Sequence, residues 1–219
     1  MVVTWFATFV FVMGWFPPSD PSASAEEIRQ LYAGDTTAIR VGLVITMAAS
    51  ALLVTWAAAI AGVMWRIEGA KTLAAVQLVS CGLLSLEFMT PIGVWMAAAF
   101  RFDGRSAEVT EALHDVGWIL FMTVIWSLIV QMLCILVAIF IDRSPEPVFP
   151  RWLGYLTAWA ALLIIPAGLV LFFKDGPFAW NGVVGLYIPL AAFTIWMGAI
   201  TRQAHLVLTR QIDETTRLS

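Results

Sequence analysis

The chain has 219 residues, of which 61% are hydrophobic and only 12% are charged, and its formal net charge at pH 7 is −3. Soluble domains carry roughly 25% charged and 45–50% apolar residues, so this composition excludes an ordinary soluble protein. The negative net charge argues against nucleic acid as a partner. Because the apolar residues stand in long runs, the sequence predicts a protein of the lipid bilayer.

The apolar runs predict an all-α membrane bundle of six transmembrane helices that forms a single domain over residues 1–219. In chain order, the six segments are Val2–Phe16, Val41–Trp65, Thr72–Phe100, Leu113–Ile141, Trp152–Phe173 and Val183–Thr201, the last continuing to about Thr209. The first has about 15 residues, or roughly 22 Å of helix, against a hydrocarbon core of about 30 Å. Five spans with an interfacial first segment therefore remain the alternative.

A short amphipathic helix is predicted between the first two segments, over residues 26–33. Ser24 and Glu27 have the spacing of a capping box, and Ile28, Leu31 and Tyr32 share one apolar face. Such a helix fits the outer membrane surface.

Loop charges predict the orientation. Seven basic residues lie on one side, namely Arg66, Lys71, Arg143, Arg151, Arg202, Arg210 and Arg217, against five on the other, Arg29, Arg40, Arg101, Arg105 and Lys174. By the positive-inside rule, both termini are expected in the cytoplasm. If the first segment does not span, the N-terminus is expected outside.

Glu87 is the most informative residue, because it lies near the middle of the third segment. A carboxyl group at bilayer depth is costly and is a functional-site hypothesis by default. Pro91, one turn later, leaves the carbonyl of residue 87 without its helical donor. The favoured interpretation is that a protonated Glu87 bonds Ser127 or Thr123 and holds two helices together. The alternatives are that Glu87 binds a ligand or accepts a proton, or that it faces lipid without a role.

The next segment supplies the remaining candidates. Thr123, Ser127 and Gln131 recur every four residues, Ser127 falls at the depth of Glu87, and Trp126 would line a cavity reaching it. Cys81 and Cys134 have similar predicted depths, where packing as free thiols is favoured over a disulfide.

Two outer features have competing interpretations. His114 and Asp115, beside Glu108 and Glu111, either form an acidic cation-binding cluster or, as favoured here, a solvated helix N-terminus. In the loop 174–182, Phe178 and Trp180 either anchor a tight turn, the favoured interpretation, or form an aromatic lid over an outward-facing cavity.

Several stretches resemble those of a family of small polytopic membrane proteins from actinobacteria and some proteobacteria that has no assigned activity. They are Phe16-Pro17-Pro18, Pro21 to Glu27, Thr37 to Gly42, Phe149 to Tyr155 and Lys174 to Gly182. The resemblance implies a helical bundle of the bacterial inner membrane. It implies no activity, cofactor or functional residue.

The polar inventory favours a non-enzymatic protein. Two histidines at opposite ends cannot share a metal, no nucleotide-binding or CxxC motif occurs, and neither a metal nor another cofactor is expected. Small residues at Gly42, Thr46 and Ser50, and at Ala58 and Gly62, allow close helix contacts. We therefore expect a protein that packs against a lipophilic ligand in the bilayer, or an accessory subunit of a larger complex or homo-oligomer. The alternative is an enzyme or carrier for a lipophilic molecule, with Glu87 as intramembrane proton donor or acceptor.

Overall fold

The computed structural model describes the backbone of residues 1–218 and the side chains of residues 1–210. All regular structure in the described backbone is helical, which confirms the all-α class. The α-helices are α1 (Val2–Ala7), α2 (Ala25–Gly34), α3 (Thr36–Met64), α4 (Lys71–Phe100), α5 (Ala107–Thr123), α6 (Trp126–Ile141), α7 (Arg151–Ile164) and α8 (Ile188–Leu218). Three are extended by non-α turns: a π-helix at Thr8–Val12 after α1, a 3-10 helix at Ile165–Phe172 after α7 and a π-helix at Val183–Tyr187 before α8.

Five helical stretches are long and apolar enough to cross a membrane: Thr36–Met64, Lys71–Phe100, Ala107–Ile141, Arg151–Phe172 and Val183–Arg210. They correspond to the second to sixth segments of the sequence prediction. The first apolar segment forms the shorter helix Val2–Val12. Its 11 residues extend roughly 16 Å, about half the thickness of the hydrocarbon core.

The short helix before the first long one forms as the capping pattern predicts. Ser24 accepts a hydrogen bond from the Glu27 N–H, and the Glu27 carboxylate accepts one from the Ser24 N–H, so both halves of the capping box are present. Burial of Ile28 and Tyr32 shows that the apolar face packs inward, against α5.

Short connections make successive long helices neighbours, as the loop lengths suggest. Helix α4 packs against α3, α5 and α6, α6 packs on α7, and α7 packs on α8. Because α8 also contacts α3, the helices close into one bundle. The N-terminal helix Val2–Val12 lies along α3.

The first small-residue face of α3 points into the bundle and not toward another chain. Thr46 bonds the hydroxyl of Thr8 over 2.9 Å, and a methyl group placed on Gly42 would overlap the side chain of Met13. The carbonyl of Ser50 accepts a hydrogen bond from Ser85 of α4 over 2.9 Å. Small side chains here let the N-terminal helix and α4 approach α3 closely.

Arginine side chains satisfy the exposed carbonyl groups at two helix C-termini. Arg40 donates to the carbonyls of Ala99 and Phe100 at the end of α4, and Arg151 donates to those of Ile139, Phe140 and Asp142 at the end of α6. A cation at this position also complements the negative end of the helix dipole. These arginines therefore have a structural role at the two ends of the bundle.

Candidate functional site

The carboxyl group of Glu87 lies near the middle of α4 and meets α6 at Ser127. The Ser127 hydroxyl donates a hydrogen bond to Oε2 of Glu87. This contact confirms the pairing that the matching depths of the two residues predict. Both residues are only partly buried, so the pair lies between two helices at the surface of the bundle.

The fourth apolar segment is interrupted beside this pair. Helix α5 ends at Thr123 and α6 begins at Trp126, so Val124 and Ile125 break the helix near the middle of the stretch Ala107–Ile141. A helix break leaves backbone N–H groups at the start of α6 and C=O groups at the end of α5 without partners in their own helices. Non-helical backbone at this depth is tolerated only where protein or a cavity surrounds it.

Ser127 is the second residue of α6, so the Glu87 carboxyl group faces the helix N-terminus. No side chain caps this terminus. The positive end of the helix dipole favours a carboxylate or another acceptor at this position. Pro91 also leaves the backbone carbonyl of Glu87 without its helical donor. This carbonyl and the free backbone groups at the α5–α6 break therefore lie at a similar depth.

The other candidates from the same face have different environments. Thr123 bonds the Ile119 carbonyl of its own helix over 2.7 Å and does not pair with Glu87. Trp126 is 60% exposed and lies on the outer surface of the bundle. The 3-10 helix Ile165–Phe172 packs closely against the break, since a Cβ on Gly168 would lie 3.4 Å from Ile125 and 3.6 Å from Trp126.

Gln131 belongs to a separate polar contact deeper in the core. It donates to Oε1 of Gln77 over 3.1 Å, and Gln77 donates to the Ala57 carbonyl over 2.8 Å, so one chain of bonds joins α6, α4 and α3. The Oε1 atom of Gln131 has no partner among the described atoms. Gln131 therefore holds helices together and does not line the Glu87 pair.

Both cysteines are buried free thiols, as the packing interpretation predicts. Cys81 approaches the Leu53 carbonyl at 3.6 Å, within the contact between α4 and α3.

His114 is the main correction to the sequence analysis, which favoured a solvated helix N-terminus there. The imidazole is completely buried and bonds Ser19, Tyr32 and Trp118. The surrounding rings include those of Trp15 and Trp118. Burial results from residues 15–32, which pack over the start of α5, and no pattern in the sequence around His114 indicates this contact.

The hydrogen bonds define the tautomer of His114. An indole N–H can only donate, so Nε2 of His114 accepts from Trp118 over 3.0 Å and carries no proton. The proton of the neutral ring is therefore on Nδ1, which donates to the Tyr32 hydroxyl over 3.1 Å. The Ser19 hydroxyl lies 2.8 Å from the same Nε2, which has no proton to donate, so the hydroxyl and the indole share its single lone pair. His114 thus joins α5, α2 and the chain before α2 in one buried network.

The loop 174–182 covers part of this network. The Trp180 indole donates to the Ser19 carbonyl over 2.8 Å and stacks on Trp118, with ring centroids 6.4 Å apart. Phe178 packs against Phe173 instead, at 5.2 Å. Trp180 is therefore part of a packed cover over His114, whereas Phe178 lies beside it.

One groove opens at the surface beside Trp65 and Lys71 and another between Trp56 and His205, and Glu87 lines neither of these. Within residues 1–210, no three side chains of the His, Cys, Asp and Glu types are grouped so that they could hold a metal ion.

Compared with known protein families, curated proteins and solved structures, the chain has no match. The resemblance of the sequence to small polytopic bacterial membrane proteins therefore stays a prediction.

Proposed function

We propose that this chain is a non-enzymatic, multi-pass protein of the bacterial inner membrane that binds a lipophilic ligand from the bilayer at Glu87. One observation carries the proposal: the partly exposed Glu87–Ser127 pair lies beside the break between α5 and α6. A ligand with a polar head and an apolar body could bond the carboxyl group and the free backbone groups, while its body packs on Trp126.

The surroundings of Glu87 favour binding over catalysis. Its hydrogen-bond partner is the hydroxyl group of Ser127, which is a weak base. General acid–base catalysis needs a proton acceptor tuned to the working pH, and an activated nucleophile needs such a base within hydrogen-bond reach. Within the described side chains, His114 is bonded to Ser19, Tyr32 and Trp118 and does not reach Glu87.

The first test is native mass spectrometry of the full chain, purified from its native membrane in mild detergent. We expect wild type to retain a defined lipophilic mass and Glu87→Ala to lose it, with affinity for the recovered compound falling about fivefold or more per lost hydrogen bond. Thr90→Ala is the matched control, because Thr90 is an exposed polar residue of α4 that bonds only its own helix. Equal retention by Glu87→Ala and wild type, or equal loss in Thr90→Ala, would contradict the proposal.

The variant Glu87→Gln separates binding from proton transfer. A neutral amide can still accept the Ser127 hydrogen bond, so we expect Glu87→Gln to fold, assemble and retain the ligand. A carrier or enzyme that uses Glu87 as proton donor or acceptor is the second candidate, supported by the broken helix at the same depth, since broken helices form binding sites in many transporters. Complete loss of a measured activity in a folded Glu87→Gln protein would favour this second candidate.

An accessory subunit or a homo-oligomer is a further proposal. Its support is the pair Ala58 and Gly62, which is exposed on α3 and has the spacing of close helix contacts. The same mass spectra test it, because a stoichiometric second polypeptide or a second copy of the chain would appear in the native complex.

For the membrane arrangement, we propose six crossings, of which the first is short, with both termini in the cytoplasm. The N-terminal helix runs beside α3 from Leu53 and Trp56 at its start to Gly42 at its end, so its start points to the same side as the end of α8. Helix α2 and the loop 174–182 then lie at the outer surface. Protease accessibility of tags at the two termini, in sealed inside-out vesicles, tests this: cleavage of only the C-terminal tag would contradict it.

A further inference from the structure

The groove between the N-terminal helix, α3 and α8 has about 660 Å³ of space and two chemically different parts. Its body is apolar and is lined by Val2, Leu52 and Met197, whereas Arg202 and His205 stand at one end. Gly198 forms part of the wall, and a Cβ placed on it would meet no atom within 4 Å. The missing side chain at Gly198 therefore adds to the open space.

The polar end of the groove lies at the expected edge of the membrane. Arg202 follows Val183, the start of the last apolar stretch, by 19 residues, which corresponds to about 28 Å of helix. This length is close to the hydrocarbon thickness of about 30 Å, so Arg202 reaches the depth of lipid headgroups. The Trp56 indole donates to the Thr201 hydroxyl over 2.9 Å and so joins α3 to α8 beside the same end.

The charge at this end has no internal partner in the described part of the chain. Arg40 and Arg151 donate to helix carbonyls, whereas Arg202 is exposed and makes no hydrogen bond or ion pair with any described atom. None of the residues that line the groove is acidic. The open end therefore complements an anion, and the apolar body complements a hydrocarbon chain.

We propose that this groove binds an anionic phospholipid, with its phosphate at Arg202 and His205 and one acyl chain along Val2, Leu52 and Met197. The two ends of the groove match the two parts of such a lipid in chemistry and in order along the membrane normal. Anionic lipids in the cytoplasmic leaflet gain roughly fivefold in binding for each basic residue near the surface. This site is formed by other helices than the Glu87 site and does not depend on it.

The test is a native mass spectrometry titration of the delipidated full chain with dioleoyl phosphatidylglycerol and with dioleoyl phosphatidylcholine. We expect phosphatidylglycerol to bind more tightly, and Arg202→Gln to lower its affinity about fivefold. Arg210→Gln is the matched control, because Arg210 is an exposed arginine two turns further along α8 that does not line the groove. We expect it to bind like wild type.

A second variant tests the acyl-chain part without changing any charge. Gly198→Leu fills open space in the groove, so we expect it to fold like wild type and to bind phosphatidylglycerol several-fold more weakly. Equal affinity for the two lipids, an equal loss in Arg210→Gln, or unchanged binding in Gly198→Leu would each overturn the proposal. Equally tight binding of sn-glycerol 3-phosphate, which has no acyl chain, would do so as well and would indicate a site for soluble anions.

Discussion

Replacing His114 by Phe should strongly destabilise the fold, although His114 belongs to neither proposed ligand site. The substitution removes the acceptor of the Trp118 indole and the donor to the Tyr32 hydroxyl, and both of these side chains are buried. Hydrogen bonds between transmembrane helices contribute about 0.6 kcal/mol on average, and a buried polar group left without a partner costs about 1–3 kcal/mol. For two such groups, we expect a loss of about 2–6 kcal/mol in the free energy of unfolding.

The measurement is unfolding of the purified protein by SDS titration in mixed micelles. Thr90→Phe is the control, because Thr90 is exposed on α4 and bonds only its own helix, and we expect it to unfold like wild type. The reasoning also predicts a rescue: adding Tyr32→Phe and Trp118→Phe to His114→Phe removes both stranded groups and should recover part of the lost stability. If His114→Phe alone unfolds like wild type, the buried network does not hold this end of the bundle.

Two further changes test other contacts. Burial has the largest single effect on the pKa of Asp142 and raises it, but the hydrogen bonds from Ser144 and Val148 and the charge of Arg151 together bring this pKa below its usual range. Asp142 therefore stabilises the fold above its ordinary pKa of 3.8, and this stabilisation is lost as the pH falls through the lowered pKa of the folded state. In unfolding curves recorded at decreasing pH, the difference in stability between wild type and Asp142→Asn should therefore shrink. Gly117→Ala should cost about 1–3 kcal/mol, because the added methyl group overlaps Trp95, whereas Gly93→Ala, which meets open space, should not; equal effects would contradict the close packing.

The two proposed binding sites, at Glu87 and at Arg202, lie at different depths and are formed by different helices. A ligand at Glu87 would lie beside the break between α5 and α6, near the middle of the membrane. Free backbone groups are rare at this depth, so they would select a ligand with a polar head group. An anionic lipid at Arg202 would join the N-terminal helix, α3 and α8 at the membrane edge. Loss of one ligand with retention of the other in the Glu87 and Arg202 variants would show that the two sites bind independently.

Composition and local patterns alone determined the class of protein and much of its helix layout. Long apolar runs predict helices because a backbone in lipid must bond internally, and five of these runs are long enough to span. The capping box at Ser24 and the pairing of Glu87 with Ser127 were also predictable. A cap depends on neighbours in the chain, and depth along a helix can be counted from its ends.

Only the tertiary structure decided which way the helix faces point and what covers them. Ser19 and His114 are 95 residues apart in the chain, so no local pattern could show that the imidazole is buried. Gly42 faces the interior because Met13, which follows the N-terminal helix, packs against it. The break at Val124 and Ile125 contains neither proline nor glycine, so the sequence does not predict it. All faces of an apolar helix have similar hydropathy, so the sequence does not show which face is buried. Contacts with neighbouring helices, which join residues distant in the chain, determine how the helix is rotated and where it is broken.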